Sequence, residues 1–347
     1  MRIHGSKVIA YCLSFLLTGT FLSGCGSSAP TPSQMSGTLT DQGTSGNAGS
    51  PAGTDQGNAS ADPGKEAAPS AEPVKGSRDN SIRCLVPAAD GTLVLSNEVA
   101  EIDYSHCEDG YVSVKYFGEV PIIKLRITGP DEVVYTYDLK TNDFEVFPLT
   151  GGNGDYTVAV YENIEDTQYA VAMSEIINVE IADELTPYLY PNQYVNFTKD
   201  SESVKLASEI VYSANSDIEA VELVYDYIIK NITYDTAKAE SKPTNYVPDI
   251  DEILDIKKGI CLDYASLMCS MLRSQGIPTR LEIGYAADAY HAWISVHIDD
   301  IGWVNGIIEF TGTTWQLMDP TFGASTNDDA LKKFIGDGTN YTLQKIY

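Results

Sequence analysis

The stretch Gly259-Ile260-Cys261-Leu262-Asp263-Tyr264-Ala265 decides how the rest of the chain is read. Leu262, Ala265, Met268, Cys269 and Leu272 recur at helical spacing, and Gly276 and Pro278 close the run. The spacing predicts a helix with Cys261 at or next to its N-terminus. Unpaired N–H groups and the positive end of the helix dipole favour a thiolate there. Downstream come Tyr290-His291-Ala292-Trp293 and Met318-Asp319-Pro320-Thr321. Cys, His and Asp in that order supply a nucleophile, a base and an orienting carboxylate. A cysteine near a helix start is more often a small buried apolar residue, and a Cys/His pair alone carries little weight. The weight comes from three segments in order, each in its own sequence context.

With these residues in view, the chain resembles the transglutaminase-like superfamily. The matching pieces are Gly259-x-Cys261-x-x-Tyr264-Ala265, Gly276-Ile277-Pro278, His291-Ala292-Trp293 and Asp319-Pro320-Thr321, within about residues 231–323. The resemblance implies a papain-like α+β core, helices followed by an antiparallel sheet. It implies Cys261 as nucleophile, His291 as base and Asp319 as the residue orienting His291. Members of that family include transglutaminases, peptidases, amidases and inactive scaffolds, so the reaction stays open among acyl transfer, hydrolysis and a silent binding fold. The stretch 302–314, between the His and Asp strands, is longer than the short hairpin of many members. Tyr234, in Asn231-Ile232-Thr233-Tyr234-Asp235, is the candidate side-chain oxyanion donor by family placement, against a core role among 22 tyrosines. The backbone N–H of Cys261 is the other candidate donor, and Trp293 is expected to wall the cleft.

The beginning of the chain reads as an export signal. Arg2 and Lys7 precede an apolar stretch at 8–21 that is too short to span a membrane. It ends Leu22-Ser23-Gly24-Cys25, which resembles a bacterial lipoprotein box and implies a lipidated Cys25. An ordinary secretory signal cut before a chance cysteine is the alternative. Residues 26–80 are rich in Ser, Gly, Ala, Pro, Thr, Asp and Gln, cannot bury a core, and read as a disordered tether. Its relaxed reach is roughly 40 Å and its fully stretched span on the order of 180 Å. The expected place of action is the outer face of a bacterial membrane, within a cell envelope.

Composition excludes some partners. The chain has 22 basic and 49 acidic residues, and losing Arg2 and Lys7 with the signal leaves 20 against 49, a net charge of −29. Nucleic acid and anionic membrane surfaces are poor partners for such a chain. Protein or peptide substrates, cell-wall peptide among them, are the expected partners, with contact to the membrane through the anchor alone. Of six cysteines, Cys12 leaves with the signal and Cys25 is the lipidation candidate. Cys84 and Cys107 are a candidate disulfide in a permissive compartment, worth about 3 kcal/mol if formed. Cys269 lies about 12 Å along the helix from Cys261, too far for a shared metal or a bond. His297 is about 20 Å along the strand from His291, so no metal site and no cofactor are expected.

Residues 81–183 alternate like short strands. Val112, Val114 and Tyr116 share one face, Ile123, Leu125 and Ile127 another, with turns at Gly129-Pro130-Asp131 and Gly151-Gly152-Asn153-Gly154. The pattern predicts an immunoglobulin-like β-sandwich with a tyrosine-corner-like Gly154-Asp155-Tyr156. Residues 184–347 form the catalytic domain in this reading. It has an amphipathic helix capped by Ser216 and Glu219, a polar mobile loop at 238–247, and strands at 280–286, 292–298, 303–310 and 314–318.

Overall fold

The computed structural model describes residues 73–347, apart from 141, 242, 244, 287–288, 305–308, 311–314 and 317–340. The signal, Cys25, the tether up to residue 72 and Asp319 therefore lie outside the described residues. Pro73–Tyr347 belongs to one compact unit.

Eight strands come first: β1 (Val94–Ser96), β2 (Ala100–Asp103), β3 (Tyr111–Tyr116), β4 (Ile123–Thr128), β5 (Val134–Leu139), β6 (Glu145–Pro148), β7 (Gly154–Glu165) and β8 (Gln168–Val179). They form two four-stranded antiparallel sheets, ordered β1-β2-β3-β6 and β5-β4-β7-β8. Period-two alternation sets the buried faces: Ile123, Leu125 and Ile127 are buried while Lys124, Arg126 and Thr128 are half-exposed. Both sheets bury their apolar faces in a single cluster. Tyr156 is buried, and its hydroxyl donates to the Gly152 carbonyl four residues upstream at 2.9 Å. Gly152 takes a φ of +83°, which glycine adopts at no steric cost.

The helices follow: α1 (Glu202–Ile210), α2 (Asp217–Asn231), then β9 (Thr233–Tyr234), α3 (Thr236–Ser241), α4 (Ile250–Ile256), β10 (Lys258–Gly259) and α5 (Cys261–Arg273). Ser216 caps α2 by accepting from the Glu219 N–H at 3.2 Å, and the Glu219 carboxylate accepts from the Asn215 N–H at 2.7 Å. The stripe Ala220, Val221, Val224, Tyr225 and Ile228 is buried. α5 is the central element: every residue from Asp263 to Arg273 is buried, and α1, α2, α4 and the following sheet all pack on it. A helix buried all round gives a fixed platform for whatever stands at its first turn.

The last strands are β11 (Thr279–Ala286), β12 (Ala289–Ile298), β13 (Gly302–Val304), β14 (Glu309–Phe310), β15 (Trp315–Gln316) and β16 (Tyr341–Ile346). The antiparallel sheet runs β13-β12-β11-β16, and β14 pairs with β15 separately. The expected strand at 303–310 begins as β13 beside the His strand, and the rest of the expected strands at 303–310 and 314–318 is described only as the short β14–β15 pair. Strand β16, which the sequence reading did not anticipate, takes the free edge of β11.

Two further expectations change. Residues 76–80, read as the end of the tether, are docked on the helices: Gly76 N–H donates to the Tyr212 carbonyl at 2.9 Å, and Arg78 pairs with Asp217 at 2.6 Å. The strap continues to Arg83, whose N–H donates to the Ser274 carbonyl at the end of α5. Second, Cys84 and Cys107 are unbonded thiols. Cys84 is carried by this strap, whereas Cys107 opens a 3-10 turn between β2 and β3. Separate anchors hold them, and burial pushes both thiols up.

Contacts also cross the expected boundary at 183/184. The Tyr347 ring packs against Tyr194, Tyr135 and Tyr137, with centroids 4.6, 5.4 and 6.0 Å away. Within the part after residue 184, fully buried Arg273 donates to the carbonyls of Thr279, Tyr190 and Tyr347 at 2.9, 2.7 and 2.8 Å.

Candidate active site

β9 runs parallel to β10, with Tyr234 opposite Gly259. Gly259 has no room for a side chain, because a Cβ there would lie 2.6 Å from the Asp263 Cβ. Ile260 is extended and forms the N-cap, so Cys261 is the first residue of α5. The Asp263 carboxylate folds back to accept the Ile260 N–H at 2.8 Å, the reciprocal half of a capping box. The expected helix start is thus borne out, together with a carboxylate whose presence the motif did not make prominent.

The Cys261 sulfur meets β12. The backbone N–H groups of Ala292, Leu262 and Cys261 itself favour the thiolate, but burial is the larger effect and pushes the thiol up, with the Asp263 charge adding to it. The expectation of a thiolate favoured by the helix N-terminus is corrected accordingly: it omitted the desolvation and the neighbouring carboxylate.

His291 precedes Ala292 on β12 and is half-buried. Its cross-strand partner on β11 is Gly284, where a Cβ would sit 2.1 Å from the Thr342 carbonyl oxygen and 2.9 Å from the Trp293 ring. The glycine therefore makes the space into which Trp293 packs. Trp293 is 3 % exposed and stacks beside His291, with centroids 6.4 Å apart at 23°, while Tyr341 meets its edge at 5.1 Å. Trp293 was expected to wall the cleft; it is instead a buried support behind the imidazole.

Residues 204–306 match the transglutaminase-like superfamily, from α1 through the His strand. The likeness to the transglutaminase-like superfamily is therefore that of this one region of the chain. It is 26% identical over 173 residues to the uncharacterized protein YebA of Bacillus subtilis, covering 44% of this chain and 22% of that one. It is 27% identical over 142 residues to the human Kyphoscoliosis peptidase, covering 38% and 19%. The chain thus spans about a fifth of the length of these curated relatives. A solved structure from Cytophaga hutchinsonii assigned to the cysteine proteases aligns over 74% of each chain at 16% identity and a TM-score of 0.34.

Within this transglutaminase-like domain, Tyr234 is half-buried and its ring stacks on Tyr264 at 6.4 Å. Burial, with the Cys261 and Asp263 charges, pushes the Tyr234 hydroxyl up, so it keeps its proton and can donate. Tyr290, beside His291, is exposed and within electrostatic reach of Cys261. His297 stands against Trp303 at 5.5 Å. Among the described residues no cluster of metal-ligating side chains is found.

Two features went unread in the sequence. The segment expected as a mobile loop at 238–247 begins within α3, and Lys238 and Tyr246 both bind Asp263. Glu282 is buried opposite Trp293, and the Trp293 and Ser295 side chains donate to it. A lone acid in an apolar strand was the available signal for it.

Burial pushes the Glu282 carboxyl up, against the opposing effect of its two donors. A carboxyl raised on folding contributes stability below its unfolded value, and that contribution is lost as pH rises through the folded value. Glu282→Gln should therefore gain in unfolding temperature relative to wild type as pH rises from about 4 to 7. Calorimetry across that range checks it, and a constant difference would contradict the assignment.

Proposed function

We propose that this chain is a lipid-anchored thiol enzyme of the bacterial envelope that cleaves or transfers protein or peptide amides. The reading rests on one observation: the Cys261 sulfur, at the first residue of a buried helix, faces the Ala292 N–H next to His291. His291 takes the Cys261 proton as the sulfur attacks the amide carbonyl carbon. The backbone N–H of Cys261 and the Tyr234 hydroxyl are the proposed donors to the developing oxyanion. The C–N bond then breaks, His291 returns the proton to the leaving amine, and a thioester remains on Cys261. Water completes hydrolysis; an amine completes a crosslink. Asp319 orients the His291 imidazole in this scheme. The name of the human relative favours hydrolysis.

The upward push on the Cys261 thiol favours a second reading, a catalytically silent scaffold at the envelope. Incubation with wall peptides and surface proteins separates the two: the enzyme reading expects an acyl adduct on Cys261 by mass spectrometry, and the scaffold reading expects none with any substrate. The β region is read as an immunoglobulin-like spacer, supported by its two four-stranded sheets and the Tyr156 bond to Gly152.

The anchor is proposed at Cys25, from Leu22-Ser23-Gly24-Cys25. Cys25→Ala should release the protein to the medium or leave it unprocessed. Unchanged detergent partitioning with normal processing would overturn the anchor.

A further inference from the structure

Asp263 has no solvent exposure and sits two residues after Cys261. Its carboxylate accepts from three donors on three segments: Lys238 Nζ at 2.7 Å, the Tyr246 hydroxyl at 2.6 Å and the Ile260 N–H at 2.8 Å. Lys238 also donates to the Tyr246 hydroxyl at 2.6 Å and lies 4.0 Å from the centre of its ring. The Lys238 side chain is a quarter exposed, so a mostly buried ammonium meets a fully buried carboxylate. A buried carboxylate without a counter-charge is costly and acts at short range with little screening.

We propose that Lys238 is a positioning residue for Cys261: through Asp263 it clamps α3 and Tyr246 onto the first turn of α5 and cancels the carboxylate charge beside the sulfur. The inference rests on Cys261 being the nucleophile. Its physical content is a sign. An uncompensated Asp263 opposes the Cys261 thiolate, whereas an uncompensated Lys238 favours it. The other groups coupled to the sulfur are Tyr290 on β12 and Tyr234 on β9, with His291 next to Ala292 on β12, and the nearby Lys258–Asp235 pair, at 3.2 Å, carries no net charge. None of these is itself replaced in the variants, although Asp263 also acts on Tyr234 and Lys238 on Asp235.

The test is the pH profile of Cys261 alkylation by iodoacetamide in the full chain, read by mass spectrometry of the Cys261 peptide. Lys238→Met should move the midpoint up by about one pH unit, a tenfold loss of thiolate below the midpoint. Asp263→Asn should move it down, since the amide is uncharged and its oxygen can still accept from Ile260 while its NH2 group donates to the Tyr246 hydroxyl. The double variant should return close to wild type, and Lys238→Arg should stay there. Should Lys238→Met not fold, Tyr246→Phe gives a smaller upward shift and Asp263→Asn still gives the downward one. Midpoints that do not move, or that move the same way in both single variants, overturn the proposal. The functional reading fails separately: opposed shifts with no acyl adduct on Cys261 leave the clamp standing and remove the enzyme, whereas a trapped adduct with unmoved midpoints does the reverse.

Discussion

Cys261→Ala is expected to lower turnover by on the order of 10⁴-fold or more, with the unfolding midpoint almost unchanged. In the proposed mechanism the effect is large because one atom, the sulfur, carries the covalent step, and the fold loses little because one small residue replaces another on the same buried helix. His291→Ala should cost a comparable amount, since no other imidazole stands on this part of β12: His297, six residues on, is held against Trp303. In the proposed scheme Asp319→Asn should impair the imidazole tautomer, with a fall on the order of 10² to 10⁴-fold. These effects should be strongly non-additive, because the groups act as a unit. Turnover on a peptide amide, followed with thermal unfolding on the same samples, checks all three. Full turnover in a folded Cys261→Ala protein would remove the thiol mechanism.

Arg273→Met should be the most destabilising single change, costing about 3–5 kcal/mol. Arg273 is fully buried, with burial pushing its guanidinium value down. It has no carboxylate partner among the described hydrogen bonds; three carbonyls stabilise it instead, at Thr279, Tyr190 and Tyr347. Replacing it leaves those carbonyls out of water without a donor. Arg273→Lys should recover little, since a single ammonium cannot reproduce a planar fork that reaches three directions. Because Tyr347 packs on Tyr135 and Tyr137 and the Thr150 hydroxyl donates to the Ile346 carbonyl, across residue 184, a 184–347 fragment should also unfold with lower cooperativity than the full chain. Denaturant titration of the variants and the fragment checks this, and a loss under about 1 kcal/mol for Arg273→Met would contradict it.

Much of this was legible in local sequence, where periodicity and spacing act within one segment. The 3.6-residue pattern after Cys261, the Ser216 cap, the strand alternation at Ile123, Leu125 and Ile127, and the Tyr156 corner are short-range rules that hold before the chain is packed. The order of Cys261 and His291 was likewise visible as motif and context. Tertiary structure alone decided what required distant segments to meet. Whether Trp293 lines a cleft or supports His291 depends on Gly284, across a strand, leaving it space. Whether Cys261 gains or loses a proton easily depends on burial by β12 and on a carboxylate whose charge is answered from α3. Strand β16, the docked strap at 76–83 and the unbonded Cys84 and Cys107 are pairings at long sequence separation, and period-two patterning does not choose among such partners. Helix spacing determines where a side chain points; only packing determines what it meets, because desolvation and counter-charge depend on distances in space that the sequence does not list.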